Sequence, residues 1–588
     1  MTRQDNTKQV QRHQIIKQGC MTVAAAVAVF GACGSVNAFE IKTGSEDVVI
    51  NWDNTLRYTL SQRLKHQSPE LLNSVNHDDG DRNFTPGLVS SRLDLLSEAD
   101  VVYKKNYGIR VSGAGWYDPV YRDRLDNTSP GTSNHLVNGG PGLGLNSHTK
   151  DRFAGVNGEL LDAFVFGKYE VGDVPVSVRA GRHTIYWGEA FFPGAGANSI
   201  SYGQSPLDFA KALAMPGVEL KEIFRPLNQV SVTIQPTKDI TIAAQQYLQW
   251  ESNIFPNGGS YLGMVDGLMN YGESYLFPWT PTAGPGGGFM AATNAGDHRP
   301  KGTDDWGVKV AYSPEWLNGT LGFHYRKFSD KMPQIQSSTF NNLVPGVVAL
   351  PTNFYYDYKS NIDLYGISFA KQIMGISVGS EVSYRRNMPL TSQWFAPQGA
   401  RGDTMHAVLN FLTLLPQSSF SDGGTAILEF SYGRWDKVTS NARYFTGNKN
   451  GLNVISGPTN DGVDAATRDN SVATIHIVPE WKQIMAGVDL AMPLNLTVGM
   501  HGNAATLTGG AKDSGSFSAG FSLDIYNKYS IDLTYASFFG LIHPVGNAGP
   551  FANQILPPGL NTGGQGAADP MALLKDRDLL SLTLKTSF

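Results

Sequence analysis

Cysteine is almost absent: the 588 residues hold two, Cys20 and Cys33, both close to the amino terminus. Charge is scarce as well, with Asp, Glu, Lys and Arg at 16%, where soluble domains average about 25%. That shortage disfavours an ordinary cytosolic enzyme. After Phe39 no segment approaches about 18 consecutive apolar residues, so helical membrane spans are excluded. The twelve His form no H-E-x-x-H signature, and neither a P-loop nor a complete G-x-G-x-x-G is present. A formal charge of −5 offers nothing to a nucleic acid. What the chain has instead is glycine, 65 of 588 residues or 11% against a usual value of about 7%. No Gly-X-Y period accompanies it, which excludes collagen, and 29 Phe, 24 Tyr and 10 Trp oppose disorder.

The first 38 residues differ in kind from the rest. Arg3, Lys8, Arg12 and Lys17 form a basic start, Met21 to Ala32 is a short apolar stretch, and Val36-Asn37-Ala38 offers a small-residue cleavage site. Residues 1–38 therefore read as a secretory signal peptide. Its removal takes away four basic residues and Asp5, leaving 42 Lys and Arg against 50 Asp and Glu, a charge of −8. Both cysteines leave with it, as suits an oxidising envelope compartment. A lipoprotein acylated on Cys33 is the alternative, weakened by the bulky Phe30 of Phe30-Gly31-Ala32-Cys33. An uncleaved membrane helix fails on length.

Residues 39–588 carry a two-residue rhythm. From Val48 to Arg63 the even positions include Val48, Ile50, Trp52, Leu56, Tyr58 and Leu60, and the odd ones Asn51, Asp53, Arg57, Ser61 and Arg63. Ser516 to Ile525 and Tyr529 to Ala536 repeat the pattern around a Tyr526-Asn527-Lys528 turn. A half-buried soluble sheet would alternate in the same way. Three features favour a membrane barrel over it. Aromatics recur near strand ends, where headgroup girdles form, and tight turns such as Gly172-Asp173 and Met374-Gly375 alternate with links of tens of residues. The chain also ends with Leu580, Leu582, Leu584, Thr586 and Phe588 on one face, which resembles the carboxy-terminal assembly signal of outer-membrane barrels. The fold expected is an all-β transmembrane up-and-down antiparallel barrel with long extracellular loops and short periplasmic turns. About eighteen strands are expected, at about ten residues each. Among them are Val174 to Trp187, Ile240 to Trp250, Val472 to Val478 and Val488 to His501. Pro493 and the weak Val472 segment make sixteen the alternative count. Glu251 to Pro300, with ten Gly and five Pro, reads as a loop.

Alternation assigns Arg57, Arg63, Arg92, Asp94, Glu98, Arg110, Arg179, Glu381, Arg385, Glu429, Asp524 and Asp532 to the polar faces, which would line the lumen. Arg57, Arg92, Asp94, Glu98, Arg110, Arg179, Glu381 and Arg385 are the candidate pore-lining set. For any one of them an ion pair that merely holds the wall is the simpler role. A long insert around residues 188–227 contains Ser205-Pro206, a cap and first position for a short helix. It is expected to fold inward and narrow the pore, with Glu219, Lys221, Glu222 and Arg225 at the constriction, or to form an external lid.

Several strings imitate active sites. Gly375-Ile376-Ser377-Val378-Gly379 matches the serine-hydrolase pattern, but a tight turn precedes a strand here, where a nucleophile elbow needs strand, turn and helix. His77-Asp78-Asp79-Gly80-Asp81 lacks calcium-loop spacing and reads as a solvated acidic turn. Arg401-Gly402-Asp403 is a three-residue coincidence. No catalytic residue, metal site or cofactor is expected.

The runs Trp52-Asp-Asn-Thr-Leu-Arg-Tyr58, Ser91-Arg-Leu-Asp-Leu-Leu-Ser97, Trp116-Tyr-Asp118, Ala180-Gly-Arg-His183, Trp187-Gly-Glu189 and Pro216-Gly-Val-Glu-Leu-Lys-Glu222 resemble the proteobacterial outer-membrane domain-of-unknown-function 1302 family. Val478-Pro-Glu-Trp481 and Asp532 to Gly540 extend the resemblance through the chain. It implies a porin-like barrel in the outer-membrane lipid of a Gram-negative bacterium. It also implies a periplasmic lipoprotein-like partner and an inner-membrane efflux pump, in settings linked to lipids, steroids or other hydrophobic compounds. It supplies no binding residues. The function expected is a channel or transport component for small, hydrophobic molecules. The alternatives are an outer-membrane lipase or esterase, which needs a Ser/His/acid set, and a structural or adhesive surface protein, which needs no open lumen.

Overall fold

A computed structural model describes residues 39–41, 43–122, 125–192, 195–214, 220–268, 271–277, 290–344, 348–449, 452–453, 457–458, 464–544, 554 and 569–588. The expected signal peptide lies outside them. One sheet of twenty hydrogen-bonded segments closes on itself. A three-residue flank, Phe39–Ile41, and one strand interrupted at Pro493 account for the excess over eighteen staves. The first six are β1 (Val48–Arg63), β2 (Gly87–Tyr103), β3 (Tyr107–Tyr117), β4 (Asn157–Val171), β5 (Val174–His183) and β6 (Leu227–Thr237). Next come β7 (Ile240–Tyr247), β8 (Trp306–Tyr312), β9 (Gly319–Phe328), β10 (Ile362–Ile373), β11 (Ile376–Pro389) and β12 (Arg401–Leu415). The last six are β13 (Gly423–Ser440), β14 (Asp469–Met485), β15 (Val488–Ala491 and Leu494–His501), β16 (Gly515–Ile525), β17 (Tyr529–Phe539) and β18 (Leu579–Ser587). Every neighbour pair is antiparallel, and β1 closes on β18 with Arg57 opposite Lys585 and Tyr58 opposite Leu584. The fold is thus the eighteen-strand outer-membrane barrel that the alternation predicts, not the sixteen-strand alternative.

The wall follows from side-chain period. Ile109, Ile367 and Phe521 point outward and are about half exposed, while their neighbours Arg110, Ser368 and Ser522 point into the bore. No helix among the described residues is long and apolar enough to cross a membrane. Aromatics mark both rims: Tyr107 meets Tyr169 at the turn end, and Trp306, Tyr325 and Tyr365 follow one another as tilted ring pairs at the loop end. Tight turns adopt the left-handed conformation at both central residues, Lys104 and Lys105, Met374 and Gly375, Tyr526 and Asn527. That is the type I′ geometry whose twist matches the flanking strands.

Long links leave from the opposite end, and those after β1 and β7 contribute to a roof. Leu71, Trp250, Leu268, Tyr275, Phe354 and Phe395 are buried together there. Part of the expected 251–300 loop joins a four-stranded sheet made of Ser274–Phe277, Met290–His298, Asn353–Asp357 and Gln334–Gln336. Two expected strand ends are corrected. Trp187 and Trp250 lie beyond the ends of β5 and β7, because each is buried in a core off the wall, Trp187 beside Ile200 and Phe328 and Trp250 in the roof.

Candidate functional site

The site is built by the link between β5 and β6, which turns into the bore. Long side chains on the inner faces of β9 to β13 reach its backbone. The Glu381 carboxylate accepts N–H bonds from Glu189 at 3.1 Å, Ala190 at 2.9 Å and Ile200 at 2.7 Å. Glu429 accepts from Phe191 at 2.7 Å and Phe192 at 3.4 Å. Arg385 donates to the carbonyls of Ala197 and Ser199, and Arg326 to those of Ile200 and Tyr202. His406 and Ser431 hold the amide of Asn198. Gly188 is required where the link begins: its φ is +106°, and a Cβ there would stand 2.8 Å from Glu381 Oε2.

The far half of the insert is tied to β1 to β4 by charge. Arg57 Nη2 meets Glu222 Oε1 at 3.0 Å, with both side chains buried. Lys211 pairs with Glu159 on β4, and Arg225 lies between Glu159 at 3.7 Å and Glu251 at 2.6 Å. Arg152 pairs with Asp208. The Trp116 ring of β3 sits under three cations, with Lys211 at 4.9 Å, Arg92 at 5.0 Å and Arg152 at 5.5 Å from its centroid.

The candidate residues thus divide by what they touch. Arg57, Glu381 and Arg385 contact the insert. Arg92 pairs with Asp94, and Arg110 pairs with Glu98, Asp100 and Asp162, all within the wall. Arg179 is exposed in the bore and lies 5.7 Å from the Phe164 ring. Glu222 and Arg225 form ion pairs to the wall and to Glu251, Glu219 lies outside the described residues, and so does the side chain of Lys221. Sequence reasoning missed Glu159, Lys211, Asp208 and Arg326. Parity alone places Arg326 on an inner face, whereas Glu159 reaches the inner side only because the register of β3 and β4 shifts between Val111 and Gly113, and nothing local marks either as a partner of the insert.

Beside the insert lies a cavity of about 910 Å³. Phe192, Phe209, Leu213, Ile223 and Phe255 form one side; the other is the inner face of β14 to β18. Phe209 stacks on Phe255 with centroids 4.9 Å apart.

Above the cavity the acidic string is not the solvated turn that the sequence suggests. Asp78, Asp79 and Asp81 are buried. Asp81 pairs with Arg63 at 2.8 Å and Arg577 at 3.2 Å, and Asp266 accepts the N–H of Asp79 at 2.8 Å. Among the described residues no three His, Cys, Asp or Glu are placed to hold a metal ion. Burial raises the Asp78 carboxyl to about 7, with Asp266 adding repulsion, and burial raises Asp79 and Asp266 in the same direction. Burial, with Arg577 beside it, pushes His77 down to about 3. Between about pH 4 and pH 7 the folded roof retains protons that unfolded carboxyls release, so its stability falls as pH rises through that window. His77 acts oppositely below its ordinary value, and three carboxyls outweigh one imidazole. Resistance of the roof to protease should therefore be greater near about pH 5 than near about pH 8, and Asp78→Asn should flatten the difference. Greater resistance at the alkaline end would contradict this balance.

The strands that carry Ser377 and the Arg401-Gly402-Asp403 string give neither the geometry of a known site. Ser377 follows the Met374-Gly375 turn within a regular ladder, opposite Gln372 and Leu412. Arg401 is spent on the carbonyls of Ser360 and Asn387.

The family model described as "Protein of unknown function (DUF1302)" matches residues 20–588. No curated protein matches the sequence. Among solved structures, OccAB2 of Acinetobacter baumannii is 9% identical with a TM-score of 0.36, covering 92% of this chain and 98% of that one. OpdK of Pseudomonas aeruginosa is 9% identical with a TM-score of 0.37, covering 92% and 99%. OccAB3 of Acinetobacter baumannii is 8% identical with a TM-score of 0.38, covering 92% and 99%. The strand order described above, rather than these likenesses, establishes the barrel.

Proposed function

The chain belongs to the DUF1302 family, and from that footing we propose that it is an outer-membrane channel or transport component for small hydrophobic molecules. One observation carries this reading: the insert is anchored inside the bore on two sides and leaves a cavity of about 910 Å³ on the third. A structural or adhesive barrel has no use for such a space. A volume of that order suits a single small molecule, and the aromatic and aliphatic side chains of the insert that border it favour apolar surface. Arg110 and Arg179 face the bore away from the cavity and would meet the substrate only in passing. The sequence carries no nucleotide-binding motif, so any energy for directed movement comes from the substrate gradient or from a periplasmic partner coupled to an inner-membrane pump.

The insert is the constriction in this reading. Deletion of Leu207 to Pro216 should raise single-channel conductance in planar bilayers; an unchanged conductance would remove the constriction role. Substrate class is tested separately, by profiling hydrophobic compounds taken up and exported by cells with and without the gene. Profiles that differ only in ions and sugars would exclude the hydrophobic assignment.

A further inference from the structure

The insert is not centred. Long charged side chains, Arg326, Glu381, Arg385 and Glu429 on one side and Arg57 and Glu159 on the other, draw it against β9–β13 and β1–β4. The inner face of β15 to β17 has short ones instead: Asn495, Thr497, Ser516, Ser518, Ser522 and Thr534 border the cavity. A hydroxymethyl group cannot span the gap to the insert, so the space stays open on that side. These groups also bond laterally, Asn495 Nδ2 to Ser518 Oγ at 3.0 Å and Ser530 Oγ to Asp532 at 3.3 Å. They therefore form a continuous polar wall with exchangeable hydrogen bonds. Facing it, Phe192 approaches His476 with ring centroids 6.3 Å apart. Asp532, Asp569 and Lys585 are the charged residues of the lining, and Asp532 is held by Ser522 and Ser530 while Asp569 caps Met571.

We propose that molecules cross on one side of the bore only, between the insert and β14–β18, and that this route selects neutral amphipathic molecules with one apolar face and hydrogen-bonding groups along the opposite edge. The proposal rests on the channel reading above and adds the path and the substrate class. An apolar face is desolvated against Phe192, Phe209 and Leu213, while hydroxyl or carbonyl groups exchange water for the serine and threonine wall. An ion entering the same space loses hydration and meets few unengaged counter-charges.

Both native cysteines precede Phe39, so a mature chain with one introduced cysteine has a single labelling site. Ser518→Cys, Thr534→Cys and Arg179→Cys are made in the full chain and reconstituted in planar bilayers, with heat-modifiable gel mobility confirming folded barrels. Benzyl methanethiosulfonate, a neutral bulky reagent, should reduce the current about tenfold at the first two positions and leave the Arg179→Cys current near its starting level. Should Thr534→Cys fail to fold, Ser516→Cys takes its place. In unmodified channels, 1,2-decanediol should block at about a tenfold lower concentration than decanoate or decyltrimethylammonium. A channel that conducts but is indifferent to label at Ser518 and Thr534, or is blocked equally from Arg179, overturns the one-sided path. Equal block by the three decyl compounds overturns the substrate class. If the unmodified protein passes no current at all, the channel reading itself fails.

Discussion

Replacement of Arg577 by Leu is expected to cost about 3–5 kcal/mol and to open the roof while the barrel stays closed. The side chain is fully buried. Its guanidinium donates to Asp81 at 3.2 Å, to the carbonyl of His77 at 3.0 Å and to that of Tyr261 at 3.1 Å, with Gly263 as a further acceptor. These groups come from two separate links and Arg577 from a third, so one residue joins the loop after β1, the loop after β7 and the segment before β18. Removing it leaves Asp81 with Arg63 alone and orphans three carbonyls, and the desolvation cost of each then falls on the folded state. Arg577→Lys restores a charge but not the planar fork, so it should recover only part of the loss. Thermal unfolding followed by tryptophan fluorescence checks the result, since Trp250 sits in the roof core. A melting profile that matches the wild type would mean that the roof is held by its apolar core rather than by this arginine. Loss of heat-modifiable gel mobility would mean that roof and barrel unfold as one unit.

The second large effect is expected from Glu381→Leu. The carboxylate is buried and accepts three backbone N–H groups of the insert, and hydrogen bonds to a charged group contribute about 1.5–3 kcal/mol each. Leucine supplies none, and the orphaned donors can regain partners only by leaving the wall for water. The first half of the insert should detach from β11, and the channel should show a larger and noisier current. Glu381→Gln keeps one acceptor oxygen and should fall between the two. A Glu381→Leu current with wild-type amplitude and noise would show that Glu429, Arg385 and Arg326 suffice to hold the insert, in which case the combined Glu381→Leu and Glu429→Leu variant must release it.

Much of the wall was legible in the sequence because strand pattern is local. Val48 to Arg63 and Tyr107 to Tyr117 coincide with β1 and β3. Weak cues also held: the Val472 segment proved to be the core of a much longer strand, Asp469–Met485, and Pro493 interrupts β15 without ending it. The errors fall where tertiary packing outweighs periodicity. Trp187 continues the alternation of β5, yet the chain has already turned inward at His183, and Trp187 is buried against Ile200 instead. The string His77 to Asp81 looks solvated because its cations, Arg63 and Arg577, are far away in sequence. For the bore, alternation assigned charge to the polar faces, but it could not separate Arg92 and Asp94, which pair with each other, from Arg57 and Glu381, which hold the insert.

By itself, then, the sequence determined strands with one apolar and one polar face, joined alternately by short and long connections. The alternation depends on neighbours one or two positions apart, and the link lengths are read directly along the chain. The seat of the insert, the roof and the open side of the bore were decided only by the tertiary structure. Arg57 and Glu222 are 165 positions apart and meet because closure of the barrel curves β1 around the insert. No local rule carries that curvature, and side-chain length then determines which side of the bore is filled and which is left clear.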